Sequence, residues 1–131
     1  MLNLENILLT NLDFYELLEY LEGWLFKKIY ILFPDPWPKK KHKKRRLINE
    51  RFVNLVNNIS SRNTKIIIST DNKDYLHQIL YSFYKIKGFR LCCNYFNEFL
   101  VQHFDLPPTK YFKKAEKLRS KSYFLLFEKH L

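Results

Sequence analysis

Pro34, Pro36 and Pro38 alternate with Asp35 and Trp37 directly after the apolar run Ile29-Tyr30-Ile31-Leu32-Phe33. This stretch limits the fold more than any other. A proline fixes its own φ, removes a backbone donor and pushes the residue before it into extended geometry. The apolar run must therefore end at Phe33, and residues 34–38 form a fixed, extended loop that neither a strand nor a helix can continue. The run itself, apolar at every position, predicts a strand from Lys28 to Phe33 that is buried on both faces. Beyond the loop, seven of the eight positions from Lys39 to Arg46 are Lys or Arg, with His42 as the exception. A carboxylate, an aromatic ring and a cationic tract thus stand together at the carboxyl end of a predicted strand. Open α/β folds place their ligands there.

The remaining elements follow from spacing. Asn6 to Leu9 reads as a short strand. Asp13 is an N-cap candidate for a helix carrying Phe14, Leu17, Leu18 and Leu21, with Gly23 as its stop. A helix is expected to resume near Lys44, with Ile48, Phe52, Leu55, Val56 and Ile59 as its buried stripe. Thr64 to Thr70, around Ile66-Ile67-Ile68, predicts a second strand, and Asp71 a cap for the helix with Tyr75, Leu76, Ile79, Leu80 and Phe83 inward. Gly88 turns the chain into a strand from Phe89 to about Tyr95. Residues 97–108 read as irregular, Thr109 as the N-cap of a basic helix through Leu118, and Ser122 to Glu128 as the last strand. Strands alternating with helices predict an α/β fold, mostly parallel and doubly wound, in one domain.

The formal net charge of +10 points to a polyanionic partner. A membrane is the less favoured one, because no window reaches the ~18–20 apolar residues of a span, and the N-terminus lacks the basic start of a secretion signal. The two cysteines, Cys92 and Cys93, are neighbours, which excludes a disulfide framework and a four-cysteine metal site and leaves a reducing cytoplasm as the expected compartment. His42, His77, His103 and His130 show no metal-ligand spacing, so no metal is expected.

Each candidate has an ordinary reading beside the functional one. The basic run could be a solvated helix start; its place after the acid–aromatic loop favours RNA, with Arg45 and Arg46 suited to bidentate phosphate contact. Asp35 could be a turn aspartate or could hold a base edge. Trp37 could stack on a base, although a core plug is its more ordinary role. Asp71 could merely cap a helix, yet two acids at the ends of neighbouring parallel strands converge on one crevice. Thr109-Lys110-Tyr111 could bind an anion on free amides or act as a plain cap.

The string Phe33-Pro-Asp-Pro-Trp-Pro-Lys-Lys-Lys-His-Lys-Lys-Arg-Arg46 resembles the signature of bacterial tRNA (guanine-N7-)-methyltransferases. Ser69-Thr70-Asp71 with Asp74-Tyr75 is similar to that family's Thr-Asp segment, and Thr109-Lys110-Tyr111 to its C-terminal Thr-Lys-aromatic motif. Asn3 and Asp13 resemble the segment that ends in a cofactor-contacting aspartate, with the spacing off by a couple of residues. The resemblance implies a Rossmann-like methyltransferase fold with an antiparallel C-terminal strand, and methylation of N7 of a variable-loop guanine in tRNA from S-adenosylmethionine. It implies Asp35 as the active-site acid near donor and guanine, with Asp13 a further cofactor contact. Lys39, Asp71, Thr109, Lys110, Tyr111 and Phe112 would bind substrate, and Lys41, His42, Lys43, Lys44, Arg45 and Arg46 would contact RNA. Phe112 stands where the family has Glu, and Ser120-Lys121 where it favours Gly-His.

The resemblance further implies that residues 1–131 are a single partial domain beginning at the family's third strand. Gly23 and Gly88, the only glycines, form no glycine-rich cofactor turn. Asn6 to Leu9 would then have no neighbouring strand, and Lys28 to Phe33 would be an exposed apolar edge. A truncated gene product, a non-catalytic tRNA-binding fragment and one half of a split enzyme, with a second polypeptide as partner, all remain open.

Overall fold

A computed structural model describes residues 4–92, 110, 113 and 121–131. Among these, four strands form one mixed sheet in the order β1-β2-β4-β3, with β1 Phe26–Leu32, β2 Ser60–Thr70, β3 Phe89–Leu91 and β4 Tyr123–Lys129. β1 and β2 are parallel. β4 lies between β2 and β3 and runs antiparallel to both. Three strands therefore share one direction and the C-terminal strand opposes them. This is a small α/β domain with a mixed sheet, and its antiparallel C-terminal strand is the one the family resemblance implies.

Position in the sheet explains the burial of each strand. β2 is central, so Ile66, Ile67 and Ile68 are all buried, as an unbroken apolar run in a middle strand should be. β1 carries a similar run but stands at the edge. Ile29 and Ile31 pack on the core, whereas Tyr30 is 45% exposed. The expected burial of β1 on both faces is thus corrected to one face, as the resemblance to a family with further strands had implied. Asn6 to Leu9 is not a strand. It lies outside the sheet, with Leu8 and Leu9 almost fully exposed.

Three helices, α1 (Phe14–Leu18), α2 (Glu50–Asn58) and α3 (Lys73–Lys85), pack on the face of the sheet that carries Ile66, Ile68, Leu125 and Phe127. Of the two helical layers expected in a doubly wound fold, the described residues supply this one. Phe52, Val53 and Val56 of α2 and Tyr75, Leu76, Ile79 and Phe83 of α3 fill the layer. The Phe83 ring stacks on Phe127 with centroids 3.9 Å apart. Truncating a core ring such as Phe52 in so tightly packed a layer would cost about 3–5 kcal/mol.

Caps set the helix boundaries. Asp13 opens α1 through a capping box with Glu16, as its position predicts. The α2 cap is Asn49, whose Oδ1 accepts from the Phe52 amide at 2.9 Å, so that helix starts later than Lys44. Residues Lys40–Arg45 instead form a short 3-10 helix. Cations placed i, i+4 along an α-helix repel one another, which disfavours continuing the tract into α2. Asn72, not Asp71, caps α3, accepting from the Tyr75 amide at 2.8 Å. Lys129 closes the other end of α2, its Nζ donating to the carbonyls of Asn57 at 2.8 Å and Ser60 at 2.7 Å.

The irregular segment 97–108 and the tail of the expected strand to Tyr95 lie outside the described residues, as does most of the expected helix from Thr109 to Leu118. Lys110 and Lys113 are helical and exposed. No helix among the described residues is long and apolar enough to cross a membrane.

Candidate nucleic-acid interface

The site is built where β1 leaves the sheet. Leu32 is in register with Ser69 of β2, and the Phe33 amide donates to both the Ser69 carbonyl, at 3.0 Å, and Ser69 Oγ, at 3.1 Å. Asp35 and Asp71 therefore follow the carboxyl ends of two adjacent parallel strands, and both are exposed. The backbone at Phe33 has φ 49° and at Trp37 φ 42°. Such left-handed geometry is strained for bulky side chains and persists only where surrounding contacts hold it. One contact comes from Asp35 itself, whose Oδ1 accepts from the Trp37 amide at 3.3 Å. The ordinary turn role foreseen for this acid is real, and it leaves the carboxylate facing solvent.

The tract that follows Pro38 is sorted by the three-residue period of its 3-10 helix, which puts i and i+3 on one side. His42 and Arg45 take one side, and both meet Trp37. The Arg45 guanidinium lies 5.1 Å from the indole centroid, and the His42 ring meets its edge at 5.8 Å. Trp37 is thus a half-buried platform rather than a core plug. Lys43 takes the second side, and its Nζ lies 2.8 Å from Asp74 Oδ2 on α3. Lys41 and Lys44 share the third side and are exposed, as are Lys39 and Lys40.

Arg46 departs from the phosphate contact expected of it. Its side chain is 1% exposed. Nε donates to the Pro36 carbonyl at 2.6 Å, and Nη1 to Gln78 Oε1 at 2.9 Å. Nη2 lies 2.8 Å from Asp74 Oδ2, an ion-pair contact off the hydrogen-bond direction. The head group also sits 4.9 Å from the centre of the Tyr75 ring. Gln78 in turn donates to the Ile48 carbonyl at 2.8 Å, and the Ile48 amide donates to Tyr75 Oη at 2.9 Å. Loop, tract and the start of α2 are thereby fastened to one face of α3. Lys43 foremost, then Arg46, holds the Asp74 carboxyl below the usual carboxylate range. Burial pushes the Tyr75 hydroxyl up to about 12.

Sequence reasoning named Asp74 only within the Thr-Asp segment, with no role of its own, and did not single out Gln78. Their i, i+4 spacing on α3 was the available signal, since it places both on one helix face toward a common partner. Asp13 caps α1, which rests on the start of α2: Phe14 packs on Phe52 at 4.7 Å and Arg51 lies over the Tyr15 ring at 4.6 Å. One Asp13 oxygen accepts from the Tyr15 amide at 2.8 Å, so its visible task is capping. Lys110 is exposed, and Thr109, Tyr111 and Phe112 lie outside the described residues.

The sequence profile of the family described as "Putative methyltransferase" matches residues 1–125. The chain belongs to that family. Among named members, it is 43% identical over 79 residues to a tRNA (guanine-N(7)-)-methyltransferase of Neorickettsia sennetsu, covering 60% of this chain and 36% of that protein. It is 47% identical over 70 residues to the enzyme of that name from Mycoplasma genitalium, covering 53% of this chain and 33% of the relative. A third, from Zymomonas mobilis, is 31% identical over 112 residues, 86% of this chain and 48% of the relative. The chain thus spans about a third to a half of the length of these methyltransferases.

Proposed function

We propose that this chain is the RNA-facing portion of a tRNA guanine-N7 methyltransferase. One observation carries the reading. Arg46 is drawn inside and braces the loop, so that Lys39, Lys40, Lys41, Lys44 and Arg45 stand exposed beside the strand ends bearing Asp35 and Asp71. A fixed acid and a fixed cationic face on one support suit a nucleic acid that must present a base while its backbone is held.

Within that reading, Lys41, Lys44 and Arg45 grip phosphates, and Trp37 with His42 shapes the floor beside them. Lys43 and Arg46 act from beneath, through Asp74. Asp35 and Asp71, with Lys39 and the Thr109–Phe112 segment, face the purine. Guanine N7 carries a free lone pair, so no group has to remove a proton from it. What the site must supply is alignment and tolerance of positive charge on the ring, and an exposed carboxylate at Asp35 suits the second task. The four strands correspond to the later part of a Rossmann-like sheet, and a tRNA substrate implies the cytoplasm.

The family implies S-adenosylmethionine as methyl donor. In parallel α/β sheets such a ligand lies over the strand carboxyl ends on a glycine turn. Gly23 precedes β1 and Gly88 precedes β3, at the amino ends of these strands, whereas Asp35 and Asp71 follow the carboxyl ends of β1 and β2. The described residues do not fit a complete donor site. The 131 residues alone are therefore expected to bind tRNA without methylating it.

The test is to incubate the isolated chain with tRNA and label-bearing methyl donor while measuring tRNA binding in parallel. Salt-sensitive binding without label in the RNA is expected. Label in the variable-loop guanine would overturn the placing of donor binding outside these residues, and absence of binding would overturn the RNA-facing reading.

A further inference from the structure

β1 and β2 are out of step at their other end. Phe26 pairs with Ser60 and Lys28 with Lys65, so residues 61–64 of β2 face Lys27 alone. The extra residues bulge, with Asn63 at φ 69°. The bulge is braced: Thr64 Oγ1 donates to the Phe26 carbonyl at 2.5 Å and lies 3.3 Å from Ser61 Oγ, while the Phe26 amide donates to the Ile59 carbonyl at 2.9 Å. Between the bulge and β1 is a cavity of about 310 Å³, lined by Lys27, Lys28, Arg62, Asn63 and Lys65 together with those two hydroxyl residues.

Four basic residues and no acidic one contribute to the half-open lining, most of whose surface is apolar. None of the four makes an ion pair among the described residues. The acid in register with Lys65 across β4 is Glu128, whose carboxylate is held by Arg90 at 2.7 Å. Lys28 and Lys65 are themselves register partners, and like charges directly opposite one another destabilise a sheet. An anion seated between them reverses that sign. The lining contains no aromatic ring on which a base could stack, and the volume is at the small end for ligand sites, which suits a phosphate with part of its sugar. A concave site takes a discrete phosphate; a flat bilayer does not enter it.

We infer that this cavity is a second phosphate-binding site, occupied by the backbone of the same RNA that lies along the Lys39–Arg45 tract. It deepens the tRNA-binding reading and rests on it. The two sites stand at opposite ends of β1, roughly 20 Å apart for a seven-residue strand.

The experiment titrates folded tRNA against the full chain between 50 and 200 mM salt, for wild type, Lys28→Glu, Arg62→Ala with Lys65→Ala, and Lys41→Ala with Lys44→Ala. Each lost phosphate contact should flatten the plot of log affinity against log salt by about 0.7–0.9, a difference of about threefold across this range. The pocket and tract losses should add, because the sites are separate. Lys28→Glu puts opposite charges across β1 and β2, so its thermal midpoint should hold or rise while tRNA affinity falls. Wild-type affinity and slope in both pocket variants, beside a weakened tract variant, would overturn the second site alone. Pocket variants that lose binding to anionic phospholipid vesicles but keep tRNA would overturn it equally. No tRNA binding by wild type at any salt would remove both readings.

Discussion

Arg46 donates from Nε to the Pro36 carbonyl at 2.6 Å. This bond fastens the end of the cationic tract to the loop that carries Asp35, and it turns the last arginine of the run into a brace for the others.

Arg46→Ala should destabilise the domain by about 2–4 kcal/mol, because the Pro36 carbonyl and Gln78 lose a charged donor in a dry setting. Arg46→Lys should recover little, since one ammonium cannot serve three directions at once. Urea unfolding measures both. A change under about 0.5 kcal/mol, the usual range for a surface substitution, would contradict the bracing role.

Asp74 predicts the acid limb of stability. Its folded pKa is lowered by Lys43 first and Arg46 second. Its contribution is therefore fully present above the unfolded value of about 4 and is lost as pH falls through the lower folded value. In thermal melts across that range, Asp74→Asn should lose less stability on acidification than wild type. Superimposable acid limbs would count against the pairing.

Tyr75 predicts the alkaline limb. Burial raises its hydroxyl to about 12, so the folded state keeps a proton that the unfolded state releases near 10. Stability is full below about pH 10 and declines as pH rises toward 12. Tyr75→Phe should remove that decline while costing about 1–3 kcal/mol at neutral pH, because the Ile48 amide loses its acceptor. Denaturant midpoints between pH 8 and 11.5 separate the two effects, and an unchanged alkaline slope in the variant would refute the assignment.

Trp37→Ala should weaken tRNA binding without unfolding the domain, since the half-buried ring supports Arg45 and His42 rather than the core. A loss of about 1–3 kcal/mol in affinity is expected if a base or the oriented Arg45 depends on the ring. Unaltered affinity would return Trp37 to a purely local role.

What could be read in the sequence was local. Asp13 as a cap, Ile66-Ile67-Ile68 as a buried strand and the break at Pro34 each depend on neighbours within a few positions. Misreadings arose where distant partners decide. By composition Ile29 to Phe33 reads as a central strand; the family resemblance implied an edge, and the sheet order among the described residues makes it one. Asp71 and Asn72 are equivalent cap candidates by composition; the Asn72 side chain reaches the Tyr75 amide and leaves Asp71 exposed. Lys43 and Arg46 are indistinguishable from their neighbours in a run of cations. Their separation comes from Asp74 and Gln78, some thirty residues away along the chain.

The outward face of the 3-10 helix carries the central claim, and the most direct measurement compares tRNA affinity at several salt concentrations for wild type and a Lys41→Ala, Lys44→Ala, Arg45→Ala variant. Steep salt dependence in wild type, with weaker binding and a slope smaller by about 2–3 in the folded variant, is the predicted result. Equal affinity and equal slope in the two proteins would contradict it.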